Sequence, residues 1–163
     1  MTTSIIIPAR YGSSRYRGKP LVKILGKEMV IRVADICSKI KNVNVYVATD
    51  SKKIASVVKK YGYNYIFTSS SCLTGTDRVA EASKKIRSKI FINVQGDEPT
   101  INPKDIKKVI NTKKRFPNHV VCGYDKVHDF ENPSSINLPK VVVNSKGELI
   151  YISRALVPGK KKS

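Results

Sequence analysis

The sequence predicts an α/β protein of the Rossmann-like type, a three-layer sandwich in which helices cover a mainly parallel sheet. Two observations lead to this fold class. Short runs of β-branched residues alternate along the chain with segments whose apolar residues recur at helical spacing. Strands that alternate with helices form βαβ units, whose crossovers are right-handed. No internal repeat or linker interrupts the alternation, so we expect one domain over residues 1–158 and a basic tail over 159–163.

The individual elements follow from the same patterns. Residues 4–7 form an apolar run that predicts a buried first strand, and Pro8 ends it because proline lacks a backbone N–H group. Asp50 or Ser51 is expected to cap the second helix, and Asn102 to cap the fourth with Pro103 in its first turn. The predicted strands cover 4–7, 43–48, 63–68, 90–94, 140–143 and 148–152; the predicted helices cover 28–41 and 51–61 and follow residues 77 and 102.

Composition narrows the class of protein. The formal net charge is +19, which raises nucleic-acid binding as a hypothesis. The lysines, however, are spread in pairs along predicted helices and no aromatic residues are interleaved with them, so we expect no nucleic-acid partner. No apolar run reaches the roughly 20 residues of a membrane helix. The three cysteines are widely spaced, which is typical of small core residues in a reducing compartment, and we expect a cytoplasmic protein.

The loop after the first strand is rich in cations. Arg10, Arg15, Arg17 and Lys19 lie within ten residues, among glycines and serines whose N–H groups can point at an anion. Arginine offers a planar fork to phosphate, and lysine offers a mobile point charge. The loop is not a Walker A motif, because Pro20 stands where a serine or threonine must follow the lysine. A polyphosphate site and a solvated basic loop both remain open at this point.

Polar residues stand at three predicted strand ends, at positions 10, 50 and 95–97. In open α/β sheets ligands gather where strands end. Asp97 follows the most strand-like run of the chain, and one carboxylate is enough to begin a Mg²⁺ site that phosphate oxygens and waters complete. The alternative for Asp97 is a simple turn residue. We interpret Asp50 as a helix cap rather than a ligand, and expect surface or structural roles for His119 and His128.

Four stretches together resemble the 3-deoxy-manno-octulosonate (Kdo) cytidylyltransferases, also called CMP-Kdo synthetases. They are residues 6–15 (IIPARYGSSR) with 18–21 (GKPL), 48–50 (ATD), 74–81 (TGTDRVAE) and 93–99 (NVQGDEP). Their order makes the resemblance specific, and it runs to about Pro158. It implies the fold of the nucleotide-diphospho-sugar transferases, and an enzyme that couples CTP with Kdo to give CMP-Kdo and pyrophosphate for lipopolysaccharide synthesis, with Mg²⁺ as cofactor.

The resemblance also implies roles for individual residues. For the nucleotide it implies contacts from Pro8, Ala9, Arg10, Ser13, Lys19, Gly75, Thr76 and Gln95. For the acidic sugar it implies Arg78 and Gln95, for the metal Asp97, and for catalysis Arg10, Arg15, Lys19 and Asp97. Preorganised cations that match the charge on a phosphoryl centre are the main catalytic device such a site offers.

Two departures from the family pattern affect the prediction. The family loop commonly has Leu-Pro where this chain has Tyr16-Arg17. Relatives also form homodimers and continue well beyond Pro158, and that continuation supplies much of the sugar pocket, the dimer contacts and a second metal carboxylate. We therefore expect either a fragment or a short form with altered or lost activity. The alternatives are a nucleotide-binding module without turnover, a sialic-acid-type cytidylyltransferase and a basic nucleic-acid-binding protein.

Overall fold

A computed structural model of the chain describes residues 2–12, 16–157 and 159. The chain forms two compact units, Met1–Val121 and Cys122–Ser163. The single domain over residues 1–158 stays a prediction. No helix in the described part of the chain is long and apolar enough to cross a lipid bilayer.

The first unit is built on a four-stranded sheet in the order β5-β4-β1-β6, with every pairing parallel. Its strands are β1 (Thr3–Ala9), β4 (Val43–Thr49), β5 (Asn64–Phe67) and β6 (Ile90–Asn93), and the short strands β2 (Lys23–Ile24) and β3 (Lys27–Glu28) pair antiparallel. Its helices are α1 (Met29–Ser38), α2 (Lys52–Lys60), α3 (Gly75–Ser83) and α4 (Pro103–Arg115), with a 3-10 turn at Lys19–Leu21. The predicted fold class is confirmed.

Helices cover both faces of the sheet because successive side chains of β1 point to opposite sides. Ile5 and Ile7 contribute to a large core together with residues of α1, α2 and α4. Ile6 packs in a smaller core on the other face with Ala82 of α3. All seven residues of β1 are buried, which is typical of a central parallel strand. This strand carries the start of the basic loop.

One strand end and one helix end differ from the sequence prediction. β1 does not end at Pro8, because its pairing with β4 continues through Pro8 to Ala9. α1 ends at Ser38 rather than at residue 41, because the chain turns there and Asn42 takes a left-handed conformation with φ of 61°. Asparagine tolerates this conformation better than other non-glycine residues. The start of α4 is as predicted, since Pro103 is in its first turn and the Asn102 side chain accepts a hydrogen bond from the Lys104 N–H at 2.9 Å.

The second unit contains the predicted hairpin. β7 (Lys140–Val143) and β8 (Leu149–Ser153) pair antiparallel. The turn between them is held by Asn144, whose side-chain oxygen accepts from the N–H groups of Lys146 and Glu148 at 2.9 Å each. Gly147 has a φ of +78°, which the turn requires and which glycine adopts without strain. Residues 122–139 contain no helix or strand.

Candidate functional site

A cleft of about 420 Å³ lies in the first unit, beyond the carboxyl ends of β1 and β6. Because parallel strands end at the same edge of a sheet, residues far apart in sequence meet here. The residues that line the cleft are Pro8, Ala9, Arg10, Tyr16, Lys19, Pro20, Leu73, Thr74, Gly75, Arg78, Gln95, Gly96 and Asp97. All of them except Tyr16 and Leu73 come from three of the four stretches on which the sequence resemblance rests.

Two glycines allow the chain segments of the cleft wall to pack closely against each other. A Cβ at Gly96 would lie 2.7 Å from the carbonyl oxygen of Pro8, so only glycine lets the chain after β6 pass the end of β1. A Cβ at Gly75 would lie 3.3 Å from the side-chain oxygen of Gln95 and 3.4 Å from the Pro8 ring. The start of α3 therefore rests directly against Gln95 and Pro8.

The basic loop is closed on itself at Tyr11. The Gly18 N–H donates to the Tyr11 carbonyl at 2.8 Å, and Gly18 takes a φ of +76° to do so. The Tyr11 ring has the Arg17 guanidinium at 5.6 Å and the Lys53 ammonium at 5.1 Å from its centroid, which are cation–π distances. Arg17 thus contacts the loop's own aromatic residue, and it is not among the residues that line the cleft.

Lys19 and Asp97 meet across the cleft, since the Lys19 ammonium donates to Asp97 Oδ2 at 2.6 Å. Their side chains are 44% and 50% exposed, so solvent screens the pair and it contributes at most about 1 kcal/mol to stability. Both groups therefore stay available to exchange partners. The pair joins the basic loop to the segment that follows β6.

Arg78, one of the residues that line the cleft, is held in a buried ion pair. It is 2% exposed, and one terminal nitrogen donates to Asp50 Oδ2 at 2.9 Å while the other donates to the Thr68 hydroxyl. Asp50 follows β4 and Thr68 follows β5, so one side chain of α3 connects two strand ends. The interpretation of Asp50 as a helix cap is wrong: Ser51 is the N-cap residue of α2, and Asp50 instead neutralises Arg78.

The first turn of α3 and the loop before it are fixed by hydrogen bonds. Thr74 and Asp77 form a reciprocal capping box, in which each side chain accepts from the other's backbone N–H. The Glu81 carboxylate accepts from the Ser69 N–H at 2.9 and 3.1 Å and from the Cys72 thiol at 3.2 Å. The Ser69 N–H bonds, followed by the Lys85 ammonium, lower the pKa of Glu81 to about 2. These contacts hold residues 69–74 beside the cleft.

Asp97 is the one carboxylate among the described residues that line the cleft. Nowhere in the described ranges do three His, Cys, Asp or Glu side chains gather as a metal cluster. Glu98 does not line the cleft, and burial together with the Asp97 charge raises its pKa. The donor set fits a magnesium ion that takes one carboxylate from the protein and its remaining oxygens from phosphate and water.

The structure brings together most of the residues that the sequence predicts. Pro8, Ala9, Arg10, Lys19, Gly75, Arg78, Gln95 and Asp97 line the cleft, Thr76 does not, and Ser13 and Arg15 lie outside the described residues. Tyr16, Pro20, Leu73, Thr74 and Gly96 line it and are absent from the prediction. Thr74 carries a signal that the sequence offers, because an acidic residue follows it at the capping-box spacing.

The remaining predictions have mixed outcomes. His119 and His128 are exposed and outside the cleft lining, which agrees with a surface role. The prediction that the cysteines are core residues is correct for Cys37, which is buried, and wrong for Cys122, which is exposed. All three thiols are free, and burial raises the pKa of Cys37 to about 12.

Comparison with known proteins places these features in context. Residues 4–163 match a family model described as cytidylyltransferase. The chain is 37% identical over 158 residues to the 3-deoxy-manno-octulosonate cytidylyltransferase of Escherichia coli. The aligned region covers 94% of this chain and 63% of that protein. The chain is 39% identical over 167 residues to an 8-amino-3,8-dideoxy-manno-octulosonate cytidylyltransferase of Shewanella sp. (strain W3-18-1), which covers 97% of this chain and 67% of that one.

A solved structure is similar as well. The structure of CMP:2-keto-3-deoxy-manno-octonic acid synthetase complexed with CTP superposes with a TM-score of 0.86 at 34% identity, and covers 98% of this chain and 66% of that one. The chain therefore spans 63 to 67% of the length of these relatives.

Proposed function

The chain belongs to the cytidylyltransferase family, and we propose that it transfers the cytidylyl group of CTP to an acidic eight-carbon sugar of the Kdo type. The observation that carries the proposal is the cleft itself. It joins the cations of the basic loop, the Gln95 amide and the Asp97 carboxylate at one sheet edge. The relatives named for this reaction match the chain over nearly its whole length.

The chemistry is a displacement at phosphorus. The oxygen of the sugar's anomeric hydroxyl forms a bond to the α-phosphorus of CTP and gives up its proton to solvent. The bond from the α-phosphorus to the α–β bridging oxygen breaks and releases pyrophosphate. Such reactions depend mainly on positioning and on cations that offset charge on the phosphoryl oxygens. Arg10, which is exposed in the cleft, and Lys19 supply that charge here. In the proposal Ser13 and Arg15 of the same loop also hold phosphates.

The nucleoside end would lie where the chain after β1 faces Gln95. Pro8, Ala9 and Gln95 line this part of the cleft, the Gln95 amide can donate to and accept from a base or ribose, and Gly75 packs against it. Gln95 already donates to the Asn93 side chain at 3.2 Å, which limits its rotation.

Asp97 is the residue that would hold Mg²⁺. When bound, the metal would offset negative charge on the phosphates and the leaving pyrophosphate. Lys19 contacts Asp97 directly, so we propose that Lys19 moves from the carboxylate to a phosphate oxygen as nucleotide and metal enter. The ion pair then keeps both side chains in the cleft and ready to bind.

The proposal is tested by measuring pyrophosphate release from the full 163-residue chain with Mg²⁺ and CTP, using Kdo and 8-amino-3,8-dideoxy-Kdo as separate acceptors. We expect release with at least one acceptor, and more with CTP than with ATP. Arg10→Gln should lower the rate roughly a hundredfold. Arg115→Gln, which removes the same charge at the exposed end of α4, should leave it unchanged. Nucleotide binding without release would instead indicate a binding module.

A further inference from the structure

Arg78 is the buried arginine of the cleft, and both terminal nitrogens of its guanidinium are bonded to protein side chains. One nitrogen of Arg78 is bonded to Asp50 and the other to Thr68, and the whole residue is 2% exposed. Asp50 itself is only 18% exposed, and Thr68 is buried. Breaking a buried pair by removing one partner leaves an uncompensated charge, which is strongly unfavourable. Arg78 is therefore poorly placed to leave its partners for a sugar carboxylate.

The same contacts connect α3, which lines the cleft, to the ends of β4 and β5. Asp50 follows β4, and Thr68 follows β5 and bonds through its N–H to the Thr49 carbonyl at 3.0 Å. Arg78 lies one turn beyond Gly75 on α3, and its N–H donates to the Thr74 carbonyl at 3.3 Å. The position of the α3 start, and of its contact with Gln95, thus depends on where the guanidinium is held.

We propose that Arg78 is a positioning residue that sets the α3 wall of the nucleotide cleft through its ion pair with Asp50. It does not act as a receptor for the sugar carboxylate. Among the described residues that line the cleft, Lys19 is paired with Asp97 and Arg78 with Asp50. Arg10 is then the described guanidinium that remains for the substrates. The inference rests on the proposed function, because it concerns how the CTP cleft is shaped.

A double-mutant cycle in CTP affinity tests the inference. Arg78→Gln, Asp50→Asn and the double variant are each titrated with CTP and Mg²⁺ by calorimetry, at a temperature where melting curves show them folded. Each single change should raise the CTP Kd about tenfold. The double variant should bind no worse than either single one, because both changes break the same link. Arg115→Gln serves as the matched control and should bind CTP like the wild type.

Three results would overturn the inference. If Arg78→Gln weakens binding while Asp50→Asn does not, Arg78 acts on the ligand and not through Asp50. If melting temperatures fall but every Kd is unchanged, the ion pair is purely structural. If the wild-type chain binds no CTP, the proposed function fails and this inference fails with it. In the first two cases the wild type still binds CTP, so only the inference about Arg78 fails. If Arg78→Gln does not fold, Thr68→Val is used instead, because it removes only the hydroxyl that accepts from Arg78. The CTP Kd should then rise by less than tenfold.

Discussion

Gly96→Ala is the substitution for which the structure predicts the clearest effect. The added Cβ would lie 2.7 Å from the Pro8 carbonyl oxygen and 3.4 Å from Ile7 Cγ2. Protein Cβ atoms essentially never approach closer than 3.0 Å, so the backbones after β1 and β6 must separate by at least 0.3 Å. The obstacle is backbone and cannot rotate away. Both strand ends carry cleft residues, so the shift reaches the site.

The expected magnitude follows from the cost of overpacking. Inserting a methyl group into close-packed structure costs about 1–3 kcal/mol, and alanine recovers about 0.4–1 kcal/mol by restricting the unfolded chain. These ranges leave a net loss of up to about 2.6 kcal/mol, and because the obstacle is backbone we expect the free energy of unfolding to fall by about 1–2 kcal/mol. For a chain of this size that lowers the melting temperature by roughly 2–8 °C. CTP affinity should fall as well, because Gln95 and Asp97 flank the substituted position.

The assay is thermal denaturation followed by circular dichroism, with CTP titration of the folded protein. Gly12→Ala is the matched control for stability, since a Cβ there would meet nothing within 4 Å. Its melting temperature should change by less than the Gly96 variant's. Equal melting temperatures for wild type and Gly96→Ala would show that the two strand ends are not in the close contact described above, and the reasoning would be refuted.

Three further predictions concern the surroundings of the cleft. Thr74→Ala removes the capping hydroxyl of α3 and should lower the free energy of unfolding by about 1 kcal/mol, measured by chemical denaturation; no change would contradict the capping box. Hydrogen bonds led by the Ser69 N–H lower the pKa of Glu81 from 4.5 to about 2. That contribution is present above pH 4.5 and is lost as pH falls through about 2, so Glu81→Gln should flatten the pH dependence of stability there. Burial raises the pKa of Cys37 to about 12, so iodoacetamide should label Cys122 and spare Cys37 in the native protein, as mass spectrometry can check.

Much of the fold was accessible from the sequence because local patterns determine it. Short runs of β-branched residues identify the strands, helical spacing of apolar residues identifies the helices, and their alternation predicts a parallel sheet. In such a sheet ligands bind at the carboxyl ends of the strands. Positions 10 and 97 follow two predicted strands, so both could be assigned to one site. The helix start at Asn102 could also be predicted, because helix capping depends only on residues close together in sequence.

What sequence reasoning missed depends on contacts between distant segments. The Arg78–Asp50 pair joins residues 28 positions apart, and nothing local distinguishes Asp50 from a helix cap. The requirement for glycine at position 96 arises from the backbone of Pro8, 88 residues earlier, so it is visible only once the strands are paired. Arg17 is similar, because its contact with Tyr11 follows from the loop's closure at Gly18.

The most direct test is calorimetric titration of CTP into the full chain with and without Mg²⁺, in wild type, Asp97→Asn and Asp105→Asn. Asp105 is an exposed carboxylate in the first turn of α4 and provides the matched control. We predict that Mg²⁺ strengthens CTP binding in the wild type and in Asp105→Asn, and that Asp97→Asn loses this dependence. Absence of CTP binding by the wild type, or an undiminished Mg²⁺ effect in Asp97→Asn, would contradict the proposed cytidylyltransferase site.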